Sequence, residues 1–133
     1  MDNLTVEQRH KNMKNIRSSH TLPELKIMKE LRHRKIYFAS NVAKIIGKPD
    51  IVFRRKKVIV FIDSDFWHGH PTRFKAPKSN QEYWVKKITR NRARDKEVNE
   101  LLEKEKWCVI RIWEHEIKHD FDSVINRILE SIK

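Results

Sequence analysis

Two short apolar runs in the middle of the chain constrain its fold more than any other segment. Ile51–Phe53 and Val58–Ile62 are β-branched or aromatic and too short for helices. We therefore predict two neighbouring strands, with the four cations Arg54–Lys57 forming the turn between them. Antiparallel neighbours lie about 4.8 Å apart, so Asp50 at the start of the first strand would lie beside Asp63 at the end of the second.

Two carboxylates at one end of a sheet repel each other unless a cation or a proton lies between them. Oxygen ligands suit a hard cation, so we predict that Asp50 and Asp63 hold magnesium. The plainer interpretation is that both acids are solvated strand ends. The long loop that follows contains Phe66, Trp67 and His68, and loops rich in aromatic and charged residues are more often functional than not, which favours the metal site.

Length and charge limit the class of protein. A chain of 133 residues forms one domain, and a net charge of +12 with a pI near 10.0 predicts a polyanionic partner, most simply nucleic acid. Solubility alone is the alternative, but the cations are clustered in the turn and along residues 86–96. The single cysteine, Cys108, excludes an intrachain disulfide framework and an all-cysteine zinc site. Without a long apolar run or a signal peptide, we expect a cytoplasmic protein with no membrane partner.

The first residues have too few large apolar side chains to fold firmly by themselves. We predict that residues 1–18 form a DNA-contacting arm and that residues 19–133 form a single domain. Thr21–Glu24 has the form of a capping box and predicts a helix to about Lys35, followed by a strand over Ile36–Val42. Glu24 is either a cap or a carboxylate near the end of the sheet.

A second capping box, Ser79–Glu82, predicts a long helix to about Glu105. Asp95 falls within the apolar stripe of that helix, where a carboxylate requires a partner. It could form a buried pair with an arginine, or it could orient a catalytic group. A strand over Trp107–Trp113, a turn over Glu114–His119 and a last helix complete the pattern, which predicts an α/β fold with a central mixed β-sheet flanked by helices.

Six short motifs are spread along nearly the whole chain. They are K-N-M at Lys11–Met13, T-x-x-E at Thr21–Glu24, G-x-P-D at Gly47–Asp50, F-W-H at Phe66–His68, R-D at Arg94–Asp95 and I-W-E at Ile112–Glu114. Together they resemble the very short patch repair (Vsr) mismatch endonucleases, a branch of the restriction-endonuclease-like nuclease superfamily. The resemblance implies the restriction-endonuclease-like core of that superfamily, although the usual acid-x-lysine element is absent after Asp63.

The resemblance also implies roles for individual residues. Asp50 would be the metal carboxylate and the Ile62 carbonyl a further ligand; His68 would be the general base, with Asp95 as its partner, and Glu24 would support a metal-bound water. The residues expected to contact DNA are Lys11, Met13, Lys14, Phe66, Trp67, Arg90 and Arg94. The family nicks one strand of double-stranded DNA beside a T:G mismatch, with aromatic residues and the arm methionine inserted next to it. We expect a monomer near the bacterial nucleoid, working with mismatch-repair proteins.

This chain departs from the family pattern in two places. Asp63 stands where the family commonly has a histidine, which should add a direct metal ligand. The family's structural zinc is held by cysteines and a histidine, whereas this chain has Asp65, His70, Thr72 and His115 at those positions. Asp65, His70 and His115 are candidate zinc ligands, but without sulfur ligands we expect no structural zinc.

Two other functions stay open at this point. A sequence-specific restriction or defence endonuclease of the same fold would keep Asp50 and Asp63 but would not need a wedge of Phe66, Trp67 and Met13. A catalytically inactive basic DNA-binding module is the non-enzymatic alternative. The acids argue against it, because a phosphate-binding surface gains nothing from carboxylates.

Overall fold

The computed structural model of the protein describes residues 22–66, 68–70 and 75–133. In chain order the elements are helix α1 (Leu22–His33), strands β1 (Ala39–Ser40), β2 (Ile51–Phe53) and β3 (Val58–Asp63), helix α2 (Gln81–Lys104), strand β4 (Cys108–Trp113), and helices α3 (Glu114–His119) and α4 (Phe121–Ser131). This order confirms the predicted α/β fold with a central mixed sheet. The predicted arm, residues 1–18, lies outside the described residues, so the boundary between arm and domain stays a prediction.

The four strands form one sheet in the order β1-β2-β3-β4. The first three are antiparallel, and β4 pairs parallel to β3, with Asp63 opposite Trp113 at the last position of the ladder. A parallel neighbour requires a crossover connection, which α2 supplies. Asp50 and Asp63 lie at one end of the β2–β3 pair, and the turn Arg54–Lys57 lies at the opposite end.

Side chains alternate between the two faces of the sheet, and both faces are covered by helices. On one face, Val52, Ile59 and Phe61 pack against Val98 and Leu102 of α2. The other face packs against α1, α3 and α4, and its buried strand residues are Ile51, Phe53, Val58, Val60, Ile110 and Ile112. Strand β3 is therefore buried on both faces, as its continuous apolar sequence predicts.

Helix α2 carries the side chains that matter most for the site. Ile88, Val98 and Leu102 are its buried residues, and Asp95 lies one turn before Val98 on the same side. Burying an aliphatic side chain such as Leu102 contributes about 1.5–3 kcal/mol, so this packing fixes the rotation of the helix and points Asp95 at the sheet. No helix in the part of the chain that the structure describes is long and apolar enough to cross a membrane.

Strand β1 is shorter than predicted. Extended structure was expected over Ile36–Val42, but only Ala39 and Ser40 pair with β2. Asn41, directly after Ser40, has a φ value of 50° in the left-handed region, which ends the extended run. Asn41 nevertheless donates its N–H to the Asp50 carbonyl at 3.0 Å, so the chain stays beside β2.

The helix ends also differ from the predictions. The capping box predicted at Ser79–Glu82 is not formed, because Asn80 is left-handed, with φ of 58°, and its side chain makes no cap hydrogen bond. The capping contact of Thr21 lies outside the described residues. Glu114–His119 is a short helix rather than a turn, since the Glu116 carboxylate accepts the Trp113 N–H at 3.1 Å and satisfies one of the free donors of its first turn.

Candidate active site

Asp50 is anchored at the beginning of β2 by the main chain around it. Its N–H donates to the Val60 carbonyl at 3.1 Å, and its carboxylate accepts the Ile62 N–H at 2.6 Å. The antiparallel register pairs Ile51 with Val60, so Asp50 lies beside the last residues of β3, as predicted. The main-chain oxygen of Ile62, the expected additional ligand, belongs to the same end of the sheet.

The nearest acidic partner of Asp50 is Glu24 on α1. Glu24 is only 4% exposed although its side chain is acidic, and that side chain hydrogen-bonds to Asp50. Burial, followed by this hydrogen bond and the charge of Glu24, raises the pKa of Asp50 to about 9, against the opposing Ile62 N–H. Without a cation, the Glu24–Asp50 pair therefore holds a proton. An all-oxygen pair of this kind has the donor chemistry that a hard divalent cation prefers.

Asp63 has a different partner. It is 3% exposed, and Nη1 of Arg111 donates to its Oδ1 at 2.9 Å and its Oδ2 at 3.2 Å. Burial raises the pKa of Asp63, although the positive charges of His68 and Arg111 oppose the shift. Arg111 is in turn fixed by Asn99, whose Oδ1 accepts its Nε–H at 2.9 Å, and by the Phe61 ring, 4.1 Å below its guanidinium carbon.

His68 lies between two carboxylates. Its Nδ1 is 2.6 Å from Asp95 Oδ2, and its Nε2 is 3.7 Å from Asp63 Oδ1, which is too long for a hydrogen bond. Burial opposes a charged imidazole, but the hydrogen bond to Asp95 and the charges of Asp63 and Asp95 outweigh it, so the pKa of His68 is raised. An ionised Asp95 accepts the Nδ1 proton, which leaves Nε2 as the nitrogen that can take a proton from water.

Asp95 contacts an arginine and a histidine, the two kinds of partner that the sequence interpretations require. Its Oδ2 contacts His68, and its Oδ1 is 3.6 Å from Arg111 Nη1. The buried pair with an arginine and the orientation of a histidine are thus parts of one cluster. We refer to Asp63, His68, Asp95 and Arg111 as the histidine cluster.

Among the described residues, Asp63, His68 and Asp95 form a group whose ligand atoms all lie within 4.8 Å of one another, as in a metal site. Asp50 is not a member of that group. However, Arg111 already supplies a fixed positive charge 2.9 Å from Asp63, and a second cation there would be repelled. The Glu24–Asp50 pair is therefore a better fit for a divalent cation than the group that contains Asp63.

The three candidate zinc residues contact one another as ordinary polar and aromatic side chains. His115 Nδ1 lies 2.9 Å from Asp65 Oδ1, a hydrogen-bond distance. The His70 ring lies edge-on to His115 and Trp113, with ring centroids 4.8 and 4.7 Å away. These residues do not form a converging set of three ligand atoms in the described ranges, and Thr72 lies outside them. Their hydrogen bond ties the loop after β3 to α3.

The predicted DNA-contacting residues are only partly within the described ranges. Phe66 is half-buried and packs edge-on against Trp84 of α2, with ring centroids 5.3 Å apart. Arg90 and Arg94 are exposed one turn apart on α2. The remaining members, Lys11, Met13, Lys14 and Trp67, lie outside the described residues.

Arg111 is the site residue that the sequence interpretation missed. It stands within an otherwise apolar strand, C-V-I-R-I-W, and pairs with Phe61 in the ladder, so its side chain shares the face of Phe61 and Asp63. A cation within an otherwise apolar strand was the available signal, and its side chain is half-buried. The arginine anticipated for Asp95 is this one.

Comparisons with known proteins agree with the geometry. A sequence profile of the family described as DNA mismatch endonuclease Vsr matches residues 1–73. The Type II nicking enzyme V.NmeDIP of Neisseria meningitidis serogroup C is 37% identical over 135 residues, which cover 100% of this chain and 91% of that protein. The chain belongs to the Vsr family.

Two further relatives are similar over most of the chain. The Type II nicking enzyme V.NaeI of Lentzea aerocolonigenes is 41% identical over 84% of this chain and 70% of its own length. The DNA mismatch endonuclease Vsr of Escherichia coli K12 is 32% identical over 80% of this chain and 69% of its own length. Membership of the Vsr family confirms the predicted resemblance and the predicted class of DNA endonuclease.

Proposed function

We propose that this protein is a magnesium-dependent endonuclease that nicks one strand of duplex DNA beside a T:G mismatch. The observation that carries the proposal is the short His68–Asp95 hydrogen bond at the end of the sheet that also holds the Glu24–Asp50 pair. An oriented imidazole can serve as a general base and a neighbouring acid pair can bind a metal ion, and phosphodiester hydrolysis uses both.

Asp50 would be the principal metal ligand, with the Ile62 carbonyl as a further ligand and Glu24 as the second acid of the site, while Asp63 stays bonded to Arg111. When bound, magnesium would polarise the scissile phosphate and stabilise the leaving oxygen. The support for this assignment is the buried carboxyl pair, which holds a proton where a cation would neutralise it.

His68 would act as the general base. Nε2 accepts a proton from a water molecule, the water oxygen forms a bond to phosphorus, and the bond from phosphorus to the leaving oxygen breaks. Asp95 holds the imidazole through Nδ1, so that in the neutral ring Nε2 is the unprotonated nitrogen and points away from Asp95. Neutral His68 is the active form, and the pKa raised by its carboxylate neighbours limits activity at low pH.

The DNA surface would combine the arm, residues 1–18, with α2. Arg90 and Arg94 are exposed beside the turn that carries Asp95, and neither has an acidic partner among the described residues, which leaves both available to phosphates. Lys11 and Lys14 would add phosphate contacts. Met13, Phe66 and Trp67 would insert at the mismatch, where unstacking costs less than at a paired step.

The decisive experiment compares strand-labelled duplexes that are identical except for a T:G or a T:A pair. Incubated with magnesium, the protein should nick one strand of the T:G duplex and leave the T:A duplex intact. Asp50→Asn serves as the catalytic control. Glu30→Gln removes a half-exposed acid on α1 that pairs with Arg34, and it serves as the matched control that should cut normally.

A second candidate function has its own support, because several relatives are named as Type II nicking enzymes. On this alternative the protein nicks a specific sequence in fully matched DNA. Supercoiled plasmid containing varied sites separates the two functions: sequence-specific nicking of matched plasmid would overturn the mismatch proposal. Failure to cut either substrate in magnesium or manganese would favour the inactive DNA-binding module.

The proposed insertion of Phe66 at the mismatch can be tested by DNA binding. Phe66→Ala should weaken binding to T:G duplex at least about tenfold more than binding to matched duplex, because only the mismatched step is opened cheaply. Tyr37→Ala, a fully exposed aromatic on the far edge of the sheet, is the matched control and should affect neither. Since Phe66 packs on Trp84, melting temperatures are measured in parallel. An equal loss on both duplexes together with a lower melting temperature would assign Phe66 to the core.

A further inference from the structure

Arg111 makes more contacts in the histidine cluster than any role assigned above requires. One nitrogen, Nη1, lies 2.9 Å from Asp63 and 3.6 Å from Asp95, while Nε is bonded to Asn99 at 2.9 Å. The guanidinium also stacks on Phe61 at 4.1 Å. Three elements, β3, α2 and the arginine's own strand β4, therefore fix this one side chain, and its position is not free to vary.

The bond between Arg111 and Asp63 determines what His68 can do. Asp63 Oδ1 is 3.7 Å from His68 Nε2, just beyond hydrogen-bonding distance. Both oxygens of that carboxylate face Arg111 Nη1, at 2.9 and 3.2 Å. A carboxylate released from this contact would lie buried, without a cation, next to an imidazole nitrogen. Nε2 would then take up a proton from solvent and donate it to this carboxylate, because an unpaired buried charge is costly.

We propose that Arg111 is a positioning residue for the general base: it holds Asp63 against β4, so that Nε2 of His68 remains available to water. The inference deepens the proposed function and rests on it for the role of His68. The two carboxylates of the cluster then act differently. Asp95 bonds to the imidazole at Nδ1, and Asp63 is kept from bonding to it at Nε2.

The direct test observes the imidazole in metal-free protein without DNA, so it does not depend on cleavage. Long-range proton–nitrogen NMR at pH 8 distinguishes a free imidazole nitrogen from one that carries a bonded proton. The chain has seven histidines, and His68→Ala identifies the relevant signals. Wild-type protein should show a free Nε2 and a protonated Nδ1.

Arg111→Met should convert Nε2 to the protonated, bonded form, and adding Asp63→Asn to that variant should restore the free form. The matched control is Arg127→Met, which removes an arginine bonded to Glu116 and to the main-chain oxygen of Arg111 but outside the cluster. It should leave the spectrum unchanged. A folded Arg111→Met variant with a wild-type Nε2 signal would overturn the proposal.

A second readout uses cleavage. Arg111→Met should lower the single-turnover rate about 10- to 100-fold, as expected when a catalytic group is misplaced, with the Kd for DNA changed less than about twofold. If Arg111→Met does not fold, Arg111→Lys is used, since it keeps the charge but not the fork that reaches Asn99 and Asp63 together. Arg111→Lys should give a mixed Nε2 signal and a smaller loss of rate. A wild-type spectrum and rate in Arg111→Lys would overturn the proposal.

The proposed function and the role of Arg111 can fail separately. If wild-type protein cleaves no DNA at all, the proposed function fails, while the NMR spectrum still decides the role of Arg111.

Discussion

The two acidic clusters at the end of the sheet differ in how their charge is neutralised. The Glu24–Asp50 pair consists of two carboxyl groups with a main-chain N–H, and its burial leaves it holding a proton. The histidine cluster also contains two carboxylates, but Arg111 lies 2.9 Å from one and 3.6 Å from the other. Arg111 neutralises the acids of the histidine cluster, whereas the Glu24–Asp50 pair is neutralised by a proton.

This difference divides the chemistry of the site. An acid pair that keeps a proton gains free energy when a divalent cation binds, because the ion replaces the proton and relieves the repulsion between the acids. A cluster with a fixed guanidinium has little to gain from a second cation and is better suited to hold an imidazole in one orientation. We therefore expect metal dependence to originate at Asp50 and pH dependence of the rate to originate at His68.

The largest effect should come from removing the charge of Asp50. Asp50→Asn keeps the acceptor for the Ile62 N–H but loses the ligand charge, so cleavage should fall to background, a loss of at least about 10³-fold for a few kcal/mol of metal-derived stabilisation. Affinity for DNA should be kept or increased, since a negative charge facing phosphate is removed. Single-turnover nicking and duplex binding measure the two effects. Nicking at the wild-type rate would show that the metal is held elsewhere.

Breaking the histidine cluster should have the next largest effect. His68→Ala should slow single-turnover cleavage by about 10²- to 10⁴-fold without a matching loss of binding, as expected for removal of a general base. Asp95→Asn should slow it less. It should also move the acid limb of the pH–rate profile to lower pH, because the neutral base is lost as pH falls through a pKa that Asp95 helps to raise. An unchanged acid limb in a folded Asp95→Asn variant would contradict the pairing.

The two clusters were not equally accessible from sequence. Asp50 and Asp63 follow from the ends of two short apolar strands, and Asp95 from a carboxylate inside an apolar helical stripe. The α/β fold class and the acids of the site therefore follow from periodicity, whereas the role of His68 came from the family resemblance. The partners do not. Antiparallel register predicts that Asp50 and Asp63 lie near each other, but it does not reveal that each has a closer partner, Glu24 for one and Arg111 for the other.

The reason is that partner choice depends on packing between elements distant in sequence. Arg111 reaches Asp63 because β4 joins β3 in parallel, a pairing made only after α2 has crossed over. Likewise, the left-handed residues Asn41 and Asn80 override the local signals that predicted a longer first strand and a capping box. Both errors lie at the ends of elements. There, a single left-handed residue can end a strand or prevent a cap that the surrounding sequence predicts.

The stability of the metal-free protein should depend on pH through Asp50. The pKa of Asp50 is about 9, against 3.8 ordinarily, so between these values the folded state keeps a proton that the unfolded chain releases. Raising the pH through this range therefore lowers the free energy of unfolding, and this dependence ends above about pH 9. Each kcal/mol lost should lower Tm by roughly 4 °C.

Magnesium should reverse that loss, because it competes with the proton. Its stabilising effect on Tm should be larger at pH 8.5 than at pH 6, and Asp50→Asn should remove both the pH slope and the magnesium effect. Asp95→Asn should leave the magnesium effect in place. If Asp95→Asn rather than Asp50→Asn removes it, the cation binds in the histidine cluster and the proposed division is wrong.

The smallest effect concerns Asp65 and His115, a third place where an acid and a histidine meet. The question is whether their hydrogen bond to each other is sufficient or whether they also bind a metal ion. Their 2.9 Å hydrogen bond ties the loop after β3 to α3, and a bond of this kind contributes about 0.5–1.5 kcal/mol. His115→Ala should therefore lower Tm by a few degrees, whereas a zinc chelator should leave Tm of the wild-type protein unchanged, because no sulfur ligand is present to hold zinc. His119→Ala, an exposed histidine at the end of the same helix, is the matched control and should change nothing. The contrary outcome is a fall in Tm on chelation that added zinc reverses and that is absent in His115→Ala. It would show that this site, like the Glu24–Asp50 pair, binds a metal ion.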